Sequence, residues 1–196
     1  MSFRGMKSGF TLIEILVVVA IMSIIAVSGL SSIINLQRTA RVNEAQSRFT
    51  IFLDLARSYA INGKLVKCTG GNTDCMPKSY GAVIRKPNSN ECPGSTQVAE
   101  LFYLKPEALN FEYNTSNVVA MDSFCINPKN FIEPASIDNK PFYYSPPFGT
   151  FTTESSQSKT QAIILTFCDN PSAKTTCEGS IYKKNITLYP NVGVPE

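Results

Sequence analysis

The sequence predicts an α+β protein: one long N-terminal helix, transmembrane over its first half, whose second half lies on an antiparallel β-sheet domain. Three observations lead there. The run from Phe10 to Leu30 is 21 residues of almost unbroken apolar character. At about 1.5 Å per residue it matches one hydrocarbon thickness of roughly 30 Å. Residues 31–63 contain no proline and carry an apolar stripe at helical spacing. From residue 64 onward, short segments rich in β-branched and aromatic residues alternate with Gly, Pro, Asn and Ser, the pattern of strands joined by turns.

The N-terminal elements set the topology. Residues 1–9 hold Arg4 and Lys7 and no acid, which keeps the short N-terminus cytoplasmic and places the domain beyond about residue 35 on the far side. Glu14 is the one charge in the apolar run. A secretory signal peptide cut near Ala26-Val27-Ser28 would carry that carboxylate inside its apolar region, where it hinders insertion. A retained helix behind a short basic leader suits the residues better. An acid within a membrane segment points to function, and once buried among packed helices it requires a cationic partner. The blander account is an interfacial residue that reaches back to the headgroups. Ala20, Ala26, Ser28 and Gly29 permit close approach between helices, although a plain lipid anchor would look the same.

In the second half of the helix, Val42, Ala45, Phe49, Phe52, Ala56 and Tyr59 recur at spacings of three and four, one face of an amphipathic helix. Arg38, Arg41, Glu44, Arg48, Asp54 and Arg57 supply the polar side, with Glu44 and Arg48 placed as an i,i+4 pair. Asn62-Gly63 is the expected stop, since either residue tolerates the left-handed conformation. The strand candidates that follow are KLVKC, YGAVIR, TQVAELFYL, NVVAMDSFCI, KPFYYSP, QAIILTFC and NITLYPNVGV. Their connections are too short and broken for helical crossovers, so the sheet is expected to be mostly antiparallel. Phe102, Tyr103, Phe142, Tyr143 and Tyr144 read as alternating core and surface positions rather than as a stacking platform.

The remaining composition narrows the chemistry. Cys68, Cys75, Cys92, Cys125, Cys168 and Cys177 make an even count in a domain read as exported, which favours three disulfides. Zinc is the alternative, but the shortest gap is Cys68 to Cys75 and the chain has no His. Six cysteines allow 15 connectivities. Pairing sequence neighbours gives Cys68–Cys75 and Cys168–Cys177, leaving Cys92–Cys125. The absence of His rules out Ser-His-Asp and Cys-His arrangements within the chain. No phosphate-binding glycine loop is present. The chain reads as no enzyme, with no cofactor and no metal. Net charge is +3 and becomes +1 once residues 1–9 are removed, so no strongly basic surface is on offer.

The stretch KSGFTLIEILVVVAIM resembles the class III signal of type IV pilins and type II secretion pseudopilins: a basic leader ending in Gly9, then Phe10, Thr11, Leu12, Ile13 and Glu14, then the apolar run. The resemblance implies a pilin fold, cleavage by a prepilin peptidase between Gly9 and Phe10, and N-methylation of Phe10. It further implies a subunit held in the bacterial inner membrane, N-terminus cytoplasmic and domain periplasmic. An inner-membrane assembly platform would then build it, with other pilin or pseudopilin subunits, into a pilus or pseudopilus. The corresponding organisation is a leader at 1–9, a transmembrane and assembly helix at 10–30, an amphipathic continuation at 31–63 and a disulfide-containing β domain at 64–196. If neighbouring helices are staggered, the Phe10 amine of an incoming subunit can meet Glu14 of an earlier one. The family often has a kinking proline near Ser31, and this chain has none there.

A second stretch, FLDLARSYAINGKLVKC, is similar to the helix end of the GspH/FimT group of minor pilins and pseudopilins, through Leu53, Ala56, Arg57, Ser58, Ala60 and Ile61. GSIYKKNITLYPNVGV resembles that group's last hairpin. Both favour a minor subunit. DNA-binding members of the group tend to carry an arginine-bearing tail, whereas Pro190-Asn191-Val192-Gly193-Val194 has none. The alternative of a DNA-binding minor pilin for DNA uptake then rests on Arg38, Arg41, Arg48, Arg57, Lys64, Lys67, Lys183 and Lys184, and nucleic acid is the disfavoured partner. A true phosphate-tracking surface would bind with steep salt dependence.

Overall fold

The computed structural model describes residues 10–67, 73–88, 90–108, 111–114, 116–133, 141–153, 163–169, 176–177 and 180–189. Among the described residues one α-helix, α1 (Leu12–Ile61), precedes ten strands. The chain divides into two compact units, the first ending at Arg38 and the second starting at Thr39. The architecture is α+β, with a long N-terminal helix and wholly antiparallel sheets.

In the first unit, α1 is long and apolar enough to cross a membrane, and none of that apolar stretch is buried. Leu12, Ile13, Leu16, Val19, Ile24 and Val27 are all more than half exposed, so within the described residues of this unit the surface is uncovered. Its one polar hydroxyl between Leu12 and Val27 is satisfied inside the helix, where Ser23 Oγ donates to the Val19 carbonyl at 2.8 Å. Such back-bonding lets a serine sit in lipid without an orphan donor.

The second unit is built on the remainder of α1. Its strands form a two-stranded pair β1 (Val66–Lys67) and β2 (Asp74–Cys75), a three-stranded sheet and a five-stranded sheet. The three-stranded sheet has the order β10-β9-β6, from β6 (Asn130–Glu133), β9 (Ile163–Asp169) and β10 (Lys183–Leu188). The five-stranded sheet has the order β5-β4-β3-β7-β8, from β3 (Ser79–Arg85), β4 (Val98–Leu104), β5 (Val118–Cys125), β7 (Phe142–Ser145) and β8 (Thr150–Thr153). β3 is the central strand and is buried from Ser79 to Ile84.

Helical periodicity explains the core. Val42, Ala45, Phe49, Phe52 and Ala56 are buried, joined by Leu53 and Ala60, while Tyr59 packs half-buried at the edge. Phe49 is the hinge between the sheets, its ring 6.2 Å from Phe142 of β7 and 6.1 Å from Phe167 of β9. The helix ends where the sequence predicts. Gly63 has φ +59°. Its N–H bonds the Ala60 carbonyl at 3.4 Å and the Lys64 N–H bonds Tyr59 at 3.1 Å, the paired bonds of a Schellman cap. Glu44 and Arg48 form the expected ion pair at 3.0 Å.

Three features depart from the sequence reading. Strands β2, β6 and β8 were not among the strand candidates; each has four residues or fewer and is held by pairing, β2 with β1, β6 with β9 and β8 with β7. The outward aromatics of the five-stranded sheet are not solvent-facing. Phe102, Tyr143 and Val83 form a second buried cluster under Phe111 and Tyr113, with Phe102 5.1 Å from Tyr113 and 5.6 Å from Tyr143. Gly81 belongs to this layer: a Cβ there would lie 2.5 Å from the Phe142 carbonyl and 2.7 Å from the Phe102 ring. Lastly, Gln97 acts as a strand residue through its side chain. It donates to the Ile132 carbonyl at 3.1 Å and accepts the Ile132 N–H at 2.9 Å, clipping the start of β4 to β6 across the two sheets.

One buried carboxylate, Glu100, sits in a charged network. Arg85 at the end of β3 holds Glu100 of β4 through Nε at 2.8 Å and Nη2 at 2.6 Å, and Glu91 through Nη1 at 2.7 Å and Nη2 at 2.5 Å. Tyr113 donates to the other oxygen of Glu100 at 2.8 Å. Glu100 is only 4% exposed, and a buried carboxylate persists only with such charged and hydrogen-bonded partners. Hydrogen bonding to Arg85 holds the Glu91 carboxyl below its ordinary range. Desolvation pushes Tyr80 up to about 12, consistent with a buried hydroxyl that donates to the Lys64 carbonyl.

Candidate assembly site

The residues that carry the class III resemblance meet at the start of α1. Phe10 and Thr11 precede the helix, so it starts two residues later than a helix drawn from Phe10. The reason is local. Thr11 is the N-cap: its Oγ1 accepts the Glu14 N–H at 3.3 Å, and Glu14 Oε2 in return accepts the Thr11 N–H at 2.9 Å and hydroxyl at 3.0 Å. This is a capping box, which satisfies orphan donors at a helix start. Thr11-Leu12-Ile13-Glu14 carries the T-x-x-E signature of that motif, and the sequence reading gave Thr11 no role of its own.

The box fixes where the carboxylate points. Both bonds fall on Oε2, and among the described residues nothing donates to Oε1. Phe10 is 82% exposed and lies four positions before Glu14. Gly9 lies outside the described residues. The site therefore presents an exposed aromatic, a capping hydroxyl and a carboxylate with one oxygen still open, all at the end of an uncovered apolar helix.

Residues 4–30 match the family model of the prokaryotic N-terminal methylation motif. No curated protein and no solved structure matches the chain. The methylation motif includes Gly9, Phe10 and Glu14, and it supports a type IV pilin-like or pseudopilin subunit and a structural rather than enzymatic role. It ends before Leu53, so it does not reach the residues that resemble the GspH/FimT group. The motif also implies processing by a prepilin peptidase and assembly with other pilins.

The cysteines lie in the second unit. Cys92–Cys125 and Cys168–Cys177 are disulfides, each with Cα atoms 5.7 Å apart. The first ties the β3–β4 connection, beside Glu91, to the end of β5. The second caps the outer face of the three-stranded sheet, where Cys168 and Cys177 are buried with Phe131. Cys75 is disulfide-bonded, and Cys68, its expected partner, lies outside the described residues. Among the described residues no cluster of His, Cys, Asp and Glu could hold a metal.

Proposed function

We propose that this protein is a structural subunit of a type IV pilus or type II secretion pseudopilus, a minor one by its helix-end pattern. It would be cut between Gly9 and Phe10, N-methylated on Phe10 and stored in the inner membrane by residues 10–30. The observation that carries the reading is the methylation motif on an apolar helix whose sole acid stands one turn from the cleavage point. After cleavage the Phe10 amine is an ammonium, and Glu14 Oε1 is an acceptor free to take one. Packing the uncovered helices together would desolvate both groups, so each needs the other. Staggered subunits then pair the amine of one with Glu14 of the next, which fixes the axial register.

Three of the eight cations behind the DNA-uptake alternative have local partners. Arg48 is paired with Glu44 and stacked over Phe124 at 5.8 Å. Lys64 lies over Tyr59 at 3.7 Å and Lys67 is paired with Asp74 at 2.8 Å. Cations held by local partners do not track a phosphate backbone.

The test is mass analysis of the mature N-terminus together with Glu14→Ala in cells that build the filament. The expected result is a chain beginning at methylated Phe10, with the Glu14→Ala protein made but missing from filaments. A mature chain beginning elsewhere, or normal incorporation of Glu14→Ala, would refute the proposal.

A further inference from the structure

The two disulfides whose cysteines are all described differ in access. Cys168 and Cys177 are 0% and 1% exposed and are buried together with Phe131, so a reagent meets neither sulfur while the three-stranded sheet is closed. In the other bond Cys92 is 6% exposed, but Cys125, at the end of β5, is exposed. Cys125 also lines a cleft of about 150 Å³ beside α1, together with Arg41, Arg48 and Asn127. Thiol–disulfide exchange requires a thiolate to reach a sulfur, and of these four cysteines Cys125 is the one with an open approach. The same two segments are also joined by bonds that do not involve sulfur. Glu91, just before Cys92, is gripped by Arg85 through both carboxylate oxygens. The Ser95 N–H bonds the Cys92 carbonyl at 3.1 Å, which closes a turn, and Ser95 Oγ donates to the Ile126 carbonyl at 2.5 Å. Ile126, next to Cys125, donates its own N–H to the Gln97 carbonyl at 3.1 Å and is buried. These contacts hold the β3–β4 connection against the end of β5 when the S–S bond is absent.

We propose that Cys92–Cys125 is a reversible redox site: a dithiol opens it in the folded domain through Cys125, and it closes again without unfolding, while Cys168–Cys177 stays shut. One thiolate of the dithiol attacks Cys125 Sγ, the bond to Cys92 breaks, and Cys92 leaves as a thiolate that takes up a proton. The second thiol of the reagent then attacks the sulfur joined to Cys125 and releases Cys125 as a thiol. The dithiol ends as a disulfide, and two electrons and two protons have passed to the cysteine pair. A disulfide reagent runs the sequence backwards. Closure is possible because the Ser95, Gln97 and Ile126 hydrogen bonds keep the two thiols in register, so the reduced state is a local change of tether rather than a global unfolding. This holds whether or not the chain enters a filament, since it depends only on the folded second unit.

The test uses the full oxidised chain in detergent without denaturant. It is incubated with dithiothreitol, and separately with reduced glutathione, and quenched with iodoacetamide at intervals. Peptide mass spectrometry reads the state of each cysteine, and near-ultraviolet circular dichroism reads aromatic packing. With dithiothreitol, the expected result is alkylation of Cys92 and Cys125 about tenfold or more faster than that of Cys168 and Cys177, with the dichroism retained. With glutathione, which leaves its mark on the sulfur attacked, the adduct is expected on Cys125 and the alkyl group on Cys92. Transfer of the reduced chain to oxidised glutathione should restore the bond without denaturant. Equal rates for the two pairs, or opening of Cys92–Cys125 only as the dichroism is lost, would overturn the proposal. So would glutathione carried by Cys92 instead of Cys125, or a reduced pair that re-forms only after denaturation.

Discussion

Phe49→Ala tests whether one helix side chain holds the two sheets together. Phe49 is fully buried and its ring lies near Phe142 of the five-stranded sheet and Phe167 of the three-stranded sheet. Truncating a buried Phe to Ala costs about 3–5 kcal/mol, the lost transfer energy plus the cavity left behind. Each aromatic pair adds about 0.5–1.5 kcal/mol beyond its buried area. With two pairs lost and neighbours from two different sheets unable to close on the gap together, the expected loss is near the top of that range, about 4–5 kcal/mol. For a chain of this size each kcal/mol lowers Tm by about 2–4 °C, which gives about 8–20 °C. The assay is thermal unfolding of the oxidised full chain in detergent, followed by near-ultraviolet circular dichroism, which reports aromatic packing. Phe148→Ala is the matched control: the same atoms leave an exposed site, and the expected change is within about 0.5 kcal/mol. A loss below about 1 kcal/mol for Phe49→Ala, or equal losses for the two variants, would refute the assignment of Phe49 as the element joining the sheets.

Two other outcomes follow from the polar and covalent ties. The Arg85 hydrogen bonds hold the Glu91 carboxyl below its ordinary value near 4.5, so the folded state binds fewer protons at this group than the unfolded state. Its stabilisation is therefore complete above about pH 4.5 and is lost as pH falls through the lowered folded value; urea midpoints should drop across that window and drop less in Glu91→Gln, and identical slopes would contradict the pairing. The Cys92–Cys125 bridge closes a sequence separation of 33 against 9 for Cys168–Cys177, and chain entropy assigns them about 3.7 and about 2.6 kcal/mol. Replacing the first pair with serine should lower the urea midpoint more than replacing the second, and the reverse order would show that burial against Phe131 outweighs loop length.

Much of the fold was legible because it rests on periods. The stripe from Val42 to Tyr59 was readable as one helix face, and the Asn62-Gly63 stop as a cap, since both depend on neighbours within one or two turns. The long strands β3, β4, β5, β9 and β10 were readable from β-branched and aromatic runs. β6 and β8 were not, because four residues carry no period and their order comes from the strand beside them. The capping box was present in the letters Thr11-Leu12-Ile13-Glu14. The charge stands out in an apolar run, whereas the role of the hydroxyl that orients it depends on where the helix starts.

The sequence by itself determined the apolar N-terminal helix, its lone acid, the cationic leader and the methylation motif, because each is a matter of local composition and spacing. Only the tertiary structure decided what Arg85, Gln97 and Arg57 do. Arg85 meets Glu100 because β3 and β4 pair with Arg85 opposite Val98, and Gln97 meets Ile132 because two sheets converge. Arg57 Nε has no hydrogen-bond partner among the described residues, and a turn about 90 residues downstream comes against its stem. Contacts between residues far apart in the chain depend on register and on the closure of long loops, and neither is written in any short stretch of sequence.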